Sequence, residues 1–122
     1  MALPMPQLAS MHDMVQALRL DLAIKLVCAV FAGGAIGFER QIAGKPAGLR
    51  TNILICLGSA LLMDLSINVG MGVGGVRVGD PARLAAQVVT GIGFIGAGTI
   101  MQSRGAITGL TSAATIWVVA AI

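Results

Sequence analysis

Three polar side chains interrupt otherwise apolar stretches of the chain, Lys25, Asp64 and Gln87. An isolated charge in hydrocarbon is expensive, so each needs a partner or a task. At a rise of ~1.5 Å per residue, Lys25 falls ~7 Å inside one face of a spanning bundle, and Asp64 and Gln87 fall ~9 Å inside that same face. A shared depth on three helices suits two kinds of chemistry. One is a polar relay or ion site; the other is an interhelical clamp in which Lys25 pairs with Asp64 and Gln87 bridges them. The clamp is the favoured reading.

A second polar layer gathers near the opposite face, where Glu39, Arg40, Arg50, Thr51, Asn52 and Gln102 come together by the same depth argument. Glu39 with Arg50 reads as an ordinary interfacial ion pair. The functional alternative is a cytoplasmic mouth or docking surface beside a glycine-broken loop. No metal site is expected: magnesium wants an octahedron of oxygens, and Asp64 and Glu39 lie near opposite faces. A closed cage within one chain is not expected, although an oligomer can bring copies of these carboxylates together. Nor is a catalytic site expected, because Ser59, Thr111 and Ser112 have no histidine or lysine base in their layer.

The remaining chemical candidates have structural readings. Cys28 and Cys56 lie in apolar runs without metal-ligand or redox spacing and read as buried thiols. His12 is solitary, and Trp117 and the seven methionines fit packing. The run GIGFIGAG formally matches the dinucleotide fingerprint through Gly91, Gly93 and Gly96. That fingerprint needs a preceding strand and an acidic residue about 20 positions on, whereas no acidic residue follows Asp80. Close helix packing explains these glycines with Gly98, as it explains Ala29, Gly33 and Gly37.

Apolar helices must position all of these residues. The chain has 122 residues, 57% hydrophobic and 11% charged, against about a quarter charged in ordinary globular chains. Continuous apolar runs and 3% aromatic residues exclude a transmembrane barrel. The expected fold is an all-α polytopic transmembrane bundle forming one domain, 1–122, with spans at 20–38, 51–69, 81–101 and 108–122. A short amphipathic lead-in precedes the first span, carrying Met11, Met14, Val15, Leu18 and Leu22 at helical spacing. Asp80 and Pro81 supply a cap and a first-turn proline for the third span, and a loop around Ser103, Arg104 and Gly105 follows it. The fourth span is still apolar at Ile122 and reads as cut short. Basic residues in the 40–50 loop tip the topology toward a cytoplasmic loop and an outside N-terminus. The net charge of +3 is scattered, which excludes a nucleic-acid partner. No cofactor is expected.

Taken in order, GGAIGFERQIAGKPAGLRTNILICLGSALL, DPARLAAQVVTGIGFIGAGTIM and GLTSAATIWVVAA resemble the membrane domain of the MgtC/SapB family of bacterial proteins. The resemblance implies a multi-pass inner-membrane protein with about five spans and, in one branch, a soluble cytoplasmic C-terminal domain. It implies a non-enzymatic regulator of adaptation to low magnesium and of survival inside macrophages, binding the F-type ATP synthase. The residues it marks are Glu39, Arg40, the 47–52 stretch, Asp80, Arg83, Gln87 and the 91–98 run. Two departures are noted: a fifth span is missing, and Asp64 stands where an apolar or small residue is expected. The second functional reading is a magnesium channel or transporter component; the third is an unstable or functionless chain. Expected partners are the lipid bilayer, another membrane complex and further copies of the chain.

Overall fold

A computed structural model describes residues 5–71, 79–80, 82–103 and 106–122, with side chains left undescribed at 5–18, 71 and 102–103. The described elements are α1 (Met5–Ile42), α2 (Leu49–Met71), α3 (Ala82–Gly98), β1 (Met101–Ser103), β2 (Ala106–Thr108) and α4 (Leu110–Val119). The fold is an all-α bundle, with one two-stranded hairpin that the sequence reading did not anticipate. Within α1 and α2, the segments Arg19–Ile42 and Leu49–Gly70 are long and apolar enough to cross a membrane. The lead-in and the first span form one continuous helix. The amphipathic face expected for that lead-in lies outside the described side chains.

Local sequence dictates where the helices stop and start. α1 ends at Gly44, whose φ of 62° is left-handed; Gly44 N–H reaches Gln41 O at 3.2 Å and Lys45 N–H reaches Arg40 O at 3.0 Å. That pair of bonds satisfies carbonyls which the helix end leaves free, and Pro46 then blocks continuation. Across the turn, Asn52 Nδ2 donates to Ala47 O at 2.7 Å and Gly48 O at 2.9 Å. These bonds hold the left-handed Ala47, at φ 60°, and fix the entry to α2. α3 opens on Asp80, whose Oδ1 accepts from Ala82 N–H at 2.9 Å, as a cap should. Pro81, expected in its first turn, lies outside the described residues.

Small residues set the distance between α1 and α2. Ala29, Gly33 and Gly37 recur every fourth residue, so they share one face of α1, and all three are buried. A Cβ added at Gly33 would lie 2.7 Å from Asn52 O, and one at Gly37 would lie 2.7 Å from Leu49 Cα. Backbone meets backbone there, and no larger side chain fits. Below this contact, Ala29, Ile55, Cys56, Ile92, Ile116 and Val119 make one small core to which all four helices contribute. Cys56 Sγ donates to Val119 O at 3.3 Å within it. The buried thiol matches the sequence reading for Cys56, whereas Cys28 is exposed.

Outward faces are apolar instead of polar. Phe31, Phe38, Leu54 and Phe94 all project from the bundle, Phe94 with 81% of its surface free. Burying so few apolar residues while displaying so many suits a hydrocarbon solvent.

The third and fourth segments differ from the expected spans. α3 has 17 residues and α4 has 10, so α4 extends only ~15 Å. Between them β1 and β2 pair antiparallel, with Met101 opposite Thr108 and Gln102 opposite Ile107. Ser103, where a loop was expected, lies in β1, and residues 104–105 lie outside the described residues. The chain returns past its own backbone at Gly109, φ 90°, where a Cβ would sit 2.0 Å from Thr99 O. Only glycine tolerates both the torsion and the contact.

Three glycine substitutions check this packing. Gly33→Val is expected to lower stability by about 1–3 kcal/mol or more by prying α1 from α2, and Gly109→Ala to reduce accumulation sharply. Gly91→Ala meets no atom within 4 Å and is expected to be neutral or slightly stabilising, as helix propensity favours alanine. Thermal unfolding in detergent and membrane accumulation measure all three.

Candidate functional site

At one end of the bundle, Lys25 Nζ donates to Asp64 Oδ1 at 3.0 Å, tying α1 to α2. Lys25 also bridges to Asp21, one turn earlier on its own helix. The other oxygen of Asp64 accepts from Asn68 Nδ2 at 2.8 Å, and the same amide donates to Asp64 O at 2.9 Å. The Asp64 side chain keeps only 12% of its surface free, against 44% for Lys25. Both carboxylate oxygens are therefore engaged within the protein. A cavity of about 350 Å³ adjoins the pair, lined also by Cys28, Ala32, Ala60 and Met63.

Gln87 does not join this cluster. Val88 packs against the core, and a step of one residue turns the helix face by ~100°. Gln87 instead lines an open groove of about 600 Å³ between α2 and α3 with Thr51, Ser59 and Gly91. It also borders a second hollow with Ser66, Asp80 and Arg83. The equal depth of the three residues said nothing about their direction around each helix.

The opposite layer is also rearranged. Glu39 and Arg50 are exposed and form no ion pair; both ion pairs among the described residues belong to Lys25. Arg40 instead turns inward, three residues beyond Gly37 on the packed face of α1, and its Nη2 approaches Ser112 Oγ of α4 at 3.5 Å. Its Nε is buried without a hydrogen-bond partner, as is Oδ1 of the fully buried Asn52. Thr51 is exposed on the α2–α3 groove. The side chain of Gln102 lies outside the described residues.

Of the glycines proposed for helix packing, Gly33 and Gly37 make the close approach described above. Gly96 touches Ala113 of α4 at ordinary distance, 3.5 Å to its carbonyl oxygen, whereas Gly91, Gly93 and Gly98 have no atom within 4 Å of an added Cβ. Among the described residues the latter three face open space. Among the described residues no group of three or more histidine, cysteine or carboxylate side chains converges as a metal site.

Sequence reasoning missed Asp21, Asn68 and the Arg40–Ser112 contact. The first two carried a usable signal, since Asp21 precedes Lys25 and Asp64 precedes Asn68 by four residues. Ser112 carried none, because it lies 72 residues from Arg40.

A family model described as the MgtC family matches residues 26–122. The chain belongs to the MgtC family. Similar MgtC-family proteins include YhiD of Escherichia coli strain K12, described as a "Putative magnesium transporter", 56% identical over 84% of this chain and 48% of its own length. Protein SapB of Bacillus subtilis is 43% identical over 80% of this chain and 43% of its length, and protein MgtC of Brucella abortus 46% over 80% and 38%. The chain thus spans about half the length, or less, of these curated relatives. No solved structure gives a significant match. Family membership together with the apolar helices makes this chain a membrane protein.

Two variants probe the Lys25–Asp64 contact. Lys25→Met alone leaves the largely buried carboxylate of Asp64 without its cation and is expected to lower the unfolding midpoint. Lys25→Met with Asp64→Leu, which removes both charges, is expected to recover much of that loss. A midpoint for the double variant at or below that of the single variant contradicts the clamp.

Proposed function

We propose that this chain is the membrane portion of a non-enzymatic regulator linked to adaptation to low magnesium and to survival inside host cells. In this reading it is a multi-pass protein of the bacterial inner membrane with a periplasmic N-terminus. It acts by helix contacts with another membrane complex, of which the F-type ATP synthase is the candidate, and it is a candidate for self-association. The observation that supports this most is the pairing of Asp64 with Lys25 and Asn68. With one oxygen on Lys25 and the other on Asn68, the charge of the Asp64 carboxylate is already answered within the protein, and the group ties α1 to α2. The open faces of α3 around Gly91, Gly93 and Gly98 fit close approach by a foreign helix.

A second reading has a specific observation behind it. The description of YhiD as a magnesium transporter favours a channel or transporter component. The two readings part on a flux measurement. Purified protein in sealed liposomes is expected to give no magnesium uptake above empty vesicles, while the tagged protein in native membranes is expected to co-purify ATP synthase subunits. Robust uptake without a partner sinks the regulator. Asp64→Asn adds a further check: normal accumulation with lost activity argues that the carboxylate does more than clamp.

A further inference from the structure

We infer that the groove between α2 and α3 holds one phospholipid whose headgroup carries a primary ammonium beside its phosphate. This goes beyond the regulator reading and holds for either orientation of the chain in the membrane. Two cavities adjoin along the groove, the apolar one of about 600 Å³ and the hollow of about 430 Å³ bordered by Asp80 and Arg83. Leu84 and Gln87 line both, so a single elongated molecule can occupy the two together.

The lining changes along this path in the order in which a phospholipid changes. The hollow includes Gly70, the last residue of the membrane-length segment Leu49–Gly70, and so lies at headgroup depth. Asp80 and Arg83 border it with opposite charges that do not pair with each other, since both ion pairs among the described residues belong to Lys25. Asp80 commits Oδ1 to Ala82 N–H at 2.9 Å, which leaves its charge without a cation, and Arg83 has no side-chain partner among the described residues. One turn further along α3, ~6 Å deeper, stands Gln87. Its amide is also without a partner among the described residues and lies where the ester carbonyls of a glycerolipid can accept from it. Beyond Gln87 the walls are apolar apart from Thr51 and Ser59, and Gly58 and Gly91, whose added Cβ atoms would meet nothing within 4 Å, keep the groove open. From Leu62 to Thr51 it follows α2 for ~16 Å, close to one leaflet's share of a ~30 Å hydrocarbon core.

The two unpaired charges select the headgroup. An arginine fork receives phosphate oxygens, whereas a carboxylate beside it repels a headgroup that is only anionic. A primary ammonium answers that carboxylate with both charge and N–H donors. A quaternary ammonium brings the charge without the donors. The rival account seats a second copy of the chain in the groove, and it requires dimers in place of lipid adducts.

Native mass spectrometry of the purified, delipidated chain tests this, with phosphatidylethanolamine, phosphatidylcholine or phosphatidylglycerol added back separately. Wild-type protein is expected to retain phosphatidylethanolamine about tenfold better than either of the others. Asp80→Asn keeps the helix cap, since asparagine caps as well as aspartate, and is expected to abolish the preference over phosphatidylglycerol. Arg83→Gln is expected to weaken retention of all three lipids. Gly58→Leu, which fills the apolar groove away from the charges, is expected to weaken all three and keep their order; a lowered unfolding midpoint would disqualify that variant, leaving the two charge variants to decide. Equal retention of the three lipids by wild type overturns the site, as does a preference for phosphatidylethanolamine that neither Asp80→Asn nor Arg83→Gln changes. Dimers that carry no lipid overturn it in favour of the second copy.

Discussion

Everything in this bundle is arranged around the contact of two backbones, where Gly33 and Gly37 of α1 lie against Leu49 and Asn52 of α2. In lipid the outward side chains gain nothing by turning inward, so association has to come from close packing and from polar groups that find each other. Two glycines one turn apart give the first of these. Because they bring α1 and α2 so near, Lys25 can reach across to Asp64 at one end, and Arg40 can turn inward toward α4 at the other. A wider crossing would leave both cations facing hydrocarbon.

The two polar layers that result are unlike. Around Asp64 the donors and acceptors answer one another, and the acid on α1, the cation it shares and the acid on α2 form a chain from Asp21 to Asn68. Such closure is suited to holding helices in register. Around Arg40 the account does not balance, with one donor and one acceptor buried and unanswered.

The helices themselves were plain in the sequence, since long apolar runs, the Gly44–Pro46 break and the Asp80 cap each act through near neighbours. The Gly33–Gly37 contact was legible too, because spacing by four puts both on one face. Gly91, Gly93 and Gly98 have the same composition but no facing backbone among the described residues, and composition alone cannot supply one. Gln87 was expected to bridge Lys25 and Asp64 but lines the α2–α3 groove instead, as counting residues along a helix does not fix the direction of a side chain around it. The hairpin at 101–108 escaped notice because three-residue strands have no period to detect. Gly109 escaped because its constraint is Thr99 O, a through-space contact that no local pattern encodes.

Chemical cross-linking in native membranes addresses the central geometry most directly. In a background with Cys28 and Cys56 replaced by alanine, Lys25→Cys is combined with either Asp64→Cys or Gln87→Cys and treated with a short thiol-specific linker. The structure predicts efficient bridging of the 25–64 pair and little for the 25–87 pair, in material that alkaline carbonate leaves in the membrane. Equal bridging of both pairs, or release of folded protein into the wash, contradicts it.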